Sequence, residues 1–295
     1  MYKSTVFLLF SIIATLLIST PISGQYQKPR VLFTTPQGYA QRMVAALEDI
    51  DIFPVSLPLI ETVNPDNPSQ IKALINNPDK YQWIAFSSRK AIEVFAQYLK
   101  DMNCSVNQFK HIQFCAIGKD AKHMYNLTGI TPSIIPLEPS PVGIVDALAQ
   151  IKDIKGQKIA VLAPKVENLT EPNVVPDFLF KLDSIGLEVT KIEAYITRSC
   201  DVPNKRMITK EITRGEYDII AFTSTAEAEA FLSLMKGKKI PDTQVFACFG
   251  PYTAANVKKM GFNVSIVSDD FSSFNGFAKV LKLWLVPQKG TDYFR

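Results

Sequence analysis

The sequence predicts an α/β protein with parallel sheets, made of two similar units that arose by internal duplication. Three observations carry this. First, a strand–turn–helix stretch occurs twice. Tyr81-Gln82-Trp83-Ile84-Ala85-Phe86-Ser87-Ser88-Arg89-Lys90-Ala91, running into Glu93-Val94-Phe95, returns as Tyr217-Asp218-Ile219-Ile220-Ala221-Phe222-Thr223-Ser224-Thr225-Ala226, running into Glu229-Ala230-Phe231. Second, further blocks repeat at nearly the same offset. Phe114 to Asp120 matches Phe246 to Tyr252, and Ser140-Pro141-Val142-Gly143 matches Ser273-Phe274-Asn275-Gly276. Arg30 to Pro36 pairs loosely with Lys158 to Pro164. A near-constant offset over several blocks marks a repeated unit. Third, short apolar strands alternate with helical patterns, as in parallel strands joined by crossover helices.

A chain of 295 residues has room for two ordinary domains with real cores. Its 47% hydrophobic and 20% charged residues are globular usage. The net charge of +4 is a mild bias, and the basic residues are spread rather than clustered. Nucleic acid is therefore not an expected partner, while a small polyanion is compatible. Cys104, Cys115, Cys200 and Cys248 lack metal-ligand spacing. The two histidines, His111 and His123, argue against a His-based metal site or a Ser-His-Asp triad. No G-x-G-x-x-G, Walker A or nucleophile elbow occurs. The expectation is chemistry by shape, hydrogen bonds and dipoles, with no metal and no cofactor.

Residues 1–24 stand apart. Lys3, the apolar run Val6 to Ile18 and the small-residue exit Ser19 to Gly24 read as a signal or targeting leader. Such a leader predicts secretory-pathway targeting, with onward transfer to a plastid as one resolution. Left uncleaved, it is the one expected membrane contact. The alternative is a mis-assigned start codon, which leaves the protein cytoplasmic. Four sequons, at Asn103, Asn126, Asn168 and Asn263, lend secretion weak support.

The fold begins with a strand at 30–36. Tyr39, Met43 and Leu47, four apart, make one face of a helix. Residues 55–61 are extended, and Pro58 marks an edge or crossover. A turn at 64–68 precedes a helix at 69–76. After the first repeat strand, helix 89–100 carries Ala91, Ile92, Phe95, Tyr98 and Leu99 on one face. A strand at 112–117 leads to a helix closed by Gly129, and a strand follows at 133–136. Ser140 caps the next helix, with Pro141 at its first position, and that helix reaches Ile151. After a strand at 158–163, the prolines at 164, 172 and 176 predict an irregular loop over 164–176. A helix to Gly186, a strand at 187–197 and a helix at 203–214 bring the chain to the second repeat. It ends with a helix at 273–285, and a frayed tail is expected from Pro287.

In open α/β sheets, ligands bind beyond the carboxyl ends of the strands. There this chain places Thr34-Thr35, Ser87-Ser88-Arg89, Gly118-Lys119-Asp120, Thr223-Ser224-Thr225 and Gly250-Pro251-Tyr252-Thr253. Helix N-termini present free N–H groups and a positive dipole end, so such turns bind anions. Any one hydroxyl there also serves as a helix cap. As a set facing one another, they predict an anion-binding cleft. Two classes stay open on the residues alone: an enzyme acting on a polyanion, and a secreted two-domain α/β protein that binds a small anionic ligand without catalysis.

Several stretches, taken in order over about residues 30–285, resemble the uroporphyrinogen-III synthase family. They are Ile84 to Ala91, Ala116-Ile117-Gly118, Gly186-Leu187-Glu188-Val189, Glu193-Ala194-Tyr195, Ala221 to Ser224 and Phe249 to Ala254. The resemblance implies two flavodoxin-like parallel-sheet domains joined by a two-stranded linker, near 55–61 and 188–198, with a cleft between them. One domain is then discontinuous, 25–57 plus 198–295, and the other is 58–197; segment 30–50 packs with 215–285. The implied reaction closes hydroxymethylbilane, a linear octacarboxylate tetrapyrrole, with loss of water and inversion of ring D through a spiro intermediate. It needs no cofactor, and hydroxymethylbilane synthase is the implied upstream partner of a monomeric enzyme. By resemblance Tyr195 is catalytic and Thr253 contacts substrate. Ser88, Ser224 and Thr225 meet acetate or propionate groups, and Thr35, Arg89, Gly118, Lys119, Pro251 and Tyr252 complete the binding set. Where the family has an Arg-Gly-rich turn after strand 158–163, Lys165 is the candidate positive charge.

Overall fold

The computed structural model describes residues 28–270 and 273–286. The leader expected at 1–24 and the tail expected from Pro287 lie outside these residues. In chain order the elements are β1 (Arg30–Phe33), α1 (Gln37–Glu48), β2 (Phe53–Ser56), β3 (Ile60–Val63), α2 (Ser69–Asn76), β4 (Trp83–Phe86), α3 (Arg89–Asp101), β5 (Gln113–Cys115) and α4 (Asp120–Thr128). There follow α5 (Pro141–Ala149), β6 (Lys158–Glu167), α6 (Val174–Ser184), β7 (Glu188–Ser199), α7 (Lys205–Thr213), β8 (Ile219–Phe222), α8 (Thr225–Met235), β9 (Val245–Cys248), α9 (Pro251–Lys259), β10 (Val264–Val267) and α10 (Phe274–Leu285).

These strands form two five-stranded sheets. The first has the order β10-β9-β8-β1-β2 and is parallel throughout. The second has the order β3-β7-β6-β4-β5 and is parallel except for β3, which runs antiparallel to β7. The repeated stretch supplies β4 in one sheet and β8 in the other. Trp83-Ile84-Ala85-Phe86 and Ile219-Ile220-Ala221-Phe222 are buried at every position. Strands covered by helices on both faces need such unbroken apolar runs.

The two cores repeat their aromatic geometry. Phe86 stacks on Phe114 and meets Phe95 edge-on at 5.5 Å; Phe222 stacks on Phe246 and meets Phe231 edge-on at 5.3 Å. Phe109 and Phe262 complete the respective clusters. Offset and edge-on pairs of this kind add to the burial of the rings themselves.

β1 lies beside β8, with Val31 opposite Ile219. The start of the fold is thus built into the sheet of its C-terminal third. The extended stretch expected at 55–61 divides between the sheets. β2 ends at Ser56 in the first, and β3 begins at Ile60 in the second. Between them Leu57 and Leu59 are buried in the first sheet's core. The return crossing runs alongside: the Cys200 backbone N–H donates to Leu59 O at 3.1 Å, and its thiol donates to Pro58 O at 2.7 Å.

Two expectations are corrected. The loop expected over 164–176 is partly strand, because β6 continues to Glu167. A register shift between Ala163 and Pro164 lets the strand pass the proline. Beyond Leu162, β6 leaves β4 and pairs only with β7, so the two strands run on as a ribbon. The strand expected at 133–136 reduces to one bridge between Cys115 and Ile134.

Candidate active-site cleft

A cavity of about 470 Å³ opens between the two sheets at the carboxyl ends of their strands. Each of α1, α3, α4, α5, α6, α8, α9 and α10 brings residues of its N-terminal end to the wall. Matched serines start matched helices. The Ser88 hydroxyl accepts from the Ala91 N–H at 3.2 Å, and that of Ser224 accepts from the Glu227 N–H at 3.4 Å. Ser140 and Ser273 cap α5 and α10 in the same way. Each cap satisfies one N–H of its first turn and leaves others to face a ligand.

Tyr195 lies on β7 where the ribbon leaves the sheet, opposite Pro164. It is buried, and its hydroxyl is 2.9 Å from Ser88 Oγ. Burial pushes the phenol up to about 12, against the pull of the Ser88 hydrogen bond. It therefore stays protonated at neutral pH. Beside it, Arg89 Nε donates to Asp120 Oδ1 at 2.7 Å. Burial raises the Asp120 carboxyl and the Arg89 guanidinium lowers it.

Of the residues singled out from sequence, Thr35, Ser88, Arg89, Tyr195, Ser224, Thr225, Tyr252 and Thr253 line this cavity. The Thr35 hydroxyl is buried there without a protein partner. Gly118, Lys119, Lys165 and Pro251 do not line it. Along β6, Pro164 and Val166 face the cavity. Strand alternation turns Lys165 to the other side, where it pairs with Glu167 at 2.8 Å. Pro251 is exposed at the first position of α9, while Tyr252 and Thr253 point inward. Gly118 adopts φ +50 at the turn into α4, and Ile117 and Asp120 on either side supply the wall. Lys119 is exposed and reaches Asp270 at 3.4 Å.

Sequence reasoning missed the basic pair Arg42 and Lys90, which line the cavity with no carboxylate in ion-pair range among the described residues. Arg42 instead lies over the Phe274 ring at 5.2 Å. It also missed Tyr39 and Glu227. The latter carried a signal: Ser224 and Glu227 have the spacing of a capping box. Among the described residues no group of three or more His, Cys, Asp or Glu is arranged to hold a metal ion, and no helix is long and apolar enough to cross a membrane.

The fold and the cleft define a class, α/β proteins with a cavity between two mostly parallel sheets, walled by helix N-termini. Within it, the chain belongs to the uroporphyrinogen-III synthase family, since a model of the family described as Uroporphyrinogen-III synthase HemD matches residues 41–276. The chain is 24% identical over 250 residues to the porphyrin biosynthesis protein HemD of Ruminiclostridium josui, a match covering 82% of this chain. It spans 47% of that relative, about half its length. It is 22% identical over 241 residues to the chloroplastic uroporphyrinogen-III synthase of Oryza sativa subsp. japonica, covering 79% of this chain and 73% of the relative. A mutant uroporphyrinogen III synthase from Thermus thermophilus superposes with a TM-score of 0.61 at 18% identity, over 86% of this chain and 99% of that one. The Helicobacter pylori uroporphyrinogen-III synthetase superposes with a TM-score of 0.51 at 15% identity, over 86% and 99%. These structural likenesses speak for the fold.

Proposed function

We propose that the protein is a uroporphyrinogen-III synthase, a lyase that closes hydroxymethylbilane with loss of water and inversion of ring D. The observation that carries this is the cleft of a family member walled by helix N-termini from both sheets. An octacarboxylate needs many N–H and hydroxyl donors, and this wall has them. The two lobes of the proposal are residues 25–57 with 198–295, and residues 58–197, each contributing one sheet. The substrate comes from the enzyme that assembles the linear tetrapyrrole.

The residues have distinct tasks in this reading. Ser88, Arg89, Tyr252 and Thr253, with backbone N–H groups of α3 and α9, hold acetate and propionate groups. Thr35 supplies a hydroxyl that has no other partner. The Tyr195 hydroxyl donates a hydrogen bond to the departing hydroxyl, which leaves as water with its bonding pair and one proton. Ring D then attacks the azafulvenium cation through its substituted α-carbon, and the spiro intermediate fragments and recloses at the other α-carbon. That carbon loses a proton, which balances the one carried off by water. Free closure gives the unrearranged isomer, so the enzyme's work is to hold the chain in the spiro-forming shape.

The test is a coupled assay in which porphobilinogen and a deaminase generate hydroxymethylbilane and the oxidised products are separated by isomer. Type III product in excess of the enzyme-free control is the expected result. Type I product alone would sink the proposal and leave a ligand-binding protein.

A further inference from the structure

One ionisable group in the cleft has no task in the reaction described above. Glu227, in the first turn of α8, is 1% exposed and lines the cavity. Its Oε2 accepts from the Thr34 hydroxyl at 2.9 Å and from the Thr223 backbone N–H at 2.9 Å. Its Oε1 accepts from the hydroxyls of Thr223 and Ser224, the latter at 3.0 Å. Burial outweighs the four hydrogen bonds and holds this carboxyl above the usual range. Four donors aimed at its two oxygens are the partners a carboxylate takes, and one of them, the Thr223 backbone N–H, can only donate.

The consequence falls on the hydroxyls. Each has a single proton, and those of Thr34, Thr223 and Ser224 are spent on Glu227. Toward the cleft, Thr223 and Ser224 offer lone pairs, backed by a buried negative charge. That charge also offsets the positive dipole end of α8. The matching turn of the second sheet is different. There Ala91 stands where the repeat has Glu227, Ser88 meets Tyr195, and Arg89 and Lys90 add positive charge. The two matched turns thus have opposite character. One suits carboxylates, and the other suits N–H donors and cations.

We propose that Glu227 is a positioning residue that makes Thr223 and Ser224 an acceptor surface for the substrate's pyrrole N–H groups and for the azafulvenium cation. This deepens the synthase reading and rests on it. When the C–O bond breaks, the oxygen keeps the electron pair, takes one proton and departs as water. The ring left behind carries positive charge shared with its nitrogen, whose N–H meets the acceptor wall. Attack by ring D moves that charge onto ring D's own nitrogen, and the proton lost at reclosure removes it and replaces the one carried off by water. A fixed acceptor wall stabilises the charged stage more than the neutral substrate, so its effect belongs in kcat.

The test compares the wild type with Glu227→Gln, which keeps the shape, removes the charge and introduces an amide donor. Three quantities are read: kcat and KM for type III product, the dissociation constant of uroporphyrin III by fluorescence quenching, and the melting temperature. The expected result is a fall in kcat of about tenfold or more, with KM and uroporphyrin affinity held within about threefold. An unchanged kcat overturns the proposal. So does a fall in kcat matched by equal loss of uroporphyrin affinity and a lower melting temperature, since Glu227 is then a structural cap. Should Glu227→Gln fail to fold, Thr223→Val decides. It removes one acceptor while Thr34, Ser224 and the backbone N–H still hold Glu227, and a kcat equal to wild type overturns the idea. Type I product alone from the wild type defeats the synthase reading itself, a different failure from active wild type beside an equally active variant.

Discussion

The Tyr39 hydroxyl on α1 donates to the Glu93 carboxylate on α3 at 3.0 Å, a hydrogen bond that spans the mouth of the cleft. α1 packs on the first sheet and α3 on the second. The other oxygen of Glu93 lies 3.2 Å from His123 Nε2, so a helix of each sheet and α4 meet at one carboxylate. Burial, then Glu93, pushes the Tyr39 hydroxyl above the usual tyrosine range, and it remains a donor.

Tyr39→Phe removes this bond and keeps the ring. Unfolding free energy should fall by about 0.5–1.5 kcal/mol, the usual worth of one such hydrogen bond, in urea titration at neutral pH. On the proposed synthase reading KM should rise as well, because α1 and α3 lose a contact between the two sheets.

Tyr195→Phe should lower kcat for type III product by on the order of 10 to 100-fold, with KM little changed, if the hydroxyl acts in the loss of water. It also gives a pH signature. The phenol is raised from 10.0 to about 12 on folding. Its contribution to stability is whole below pH 10 and is lost as pH rises through 12. The stability difference between the wild type and the Phe variant should therefore be flat up to pH 10. Above it, the difference should move in the variant's favour by up to about 2 kcal/mol. A flat difference to pH 12 would count against a buried, hydrogen-bonded hydroxyl.

Arg89→Ala takes away the cation at the start of α3 and leaves Asp120 part-buried without it. KM should rise by about tenfold, more than kcat falls, and the Asp120 carboxyl should titrate at higher pH. Adding Asp120→Ala should restore part of the lost stability without restoring KM, as a double-mutant cycle would measure.

Two matched glycines should respond differently to alanine. A Cβ at Gly143 would meet the Glu138 backbone oxygen at 2.1 Å, whereas one at Gly276 would meet the Asp270 side chain at 2.1 Å. The Asp270 carboxylate can turn away, leaving its Cβ at 2.8 Å to be relieved by a small shift, whereas the Glu138 oxygen is itself backbone. Gly143→Ala should cost about 1–3 kcal/mol and Gly276→Ala less, by thermal or urea unfolding.

The repeat made much of this architecture legible in advance. Its serine turns fall at helix starts, and its apolar runs fall in the two sheet centres. Elsewhere the local signal and the long-range structure disagree. Pro164 reads as a loop former, yet β7 supplies a partner from another part of the chain and a register shift absorbs the proline. Once 164–167 is strand, alternation turns Lys165 away from the cavity, a step that an irregular segment does not allow. Residues 133–136 are apolar enough for a strand but find a single bridge. Glu227 looks like an ordinary capping residue from sequence. Its contact with Thr34, near the other end of the chain, depends on β1 lying beside β8.

That last pairing has a consequence for synthesis. Every strand of the second sheet falls between residues 60 and 199, so that half can close as soon as it leaves the ribosome. β1, made earlier, cannot. Val31, Leu32 and Phe33, fully buried in the finished protein, must wait for β8. Until the last third of the chain emerges, β1 has β2 on one side and an open, apolar edge on the other. Any truncation before residue 219 leaves that strand without its β8 neighbour, so such fragments should bind chaperones or aggregate although half of the molecule is already built.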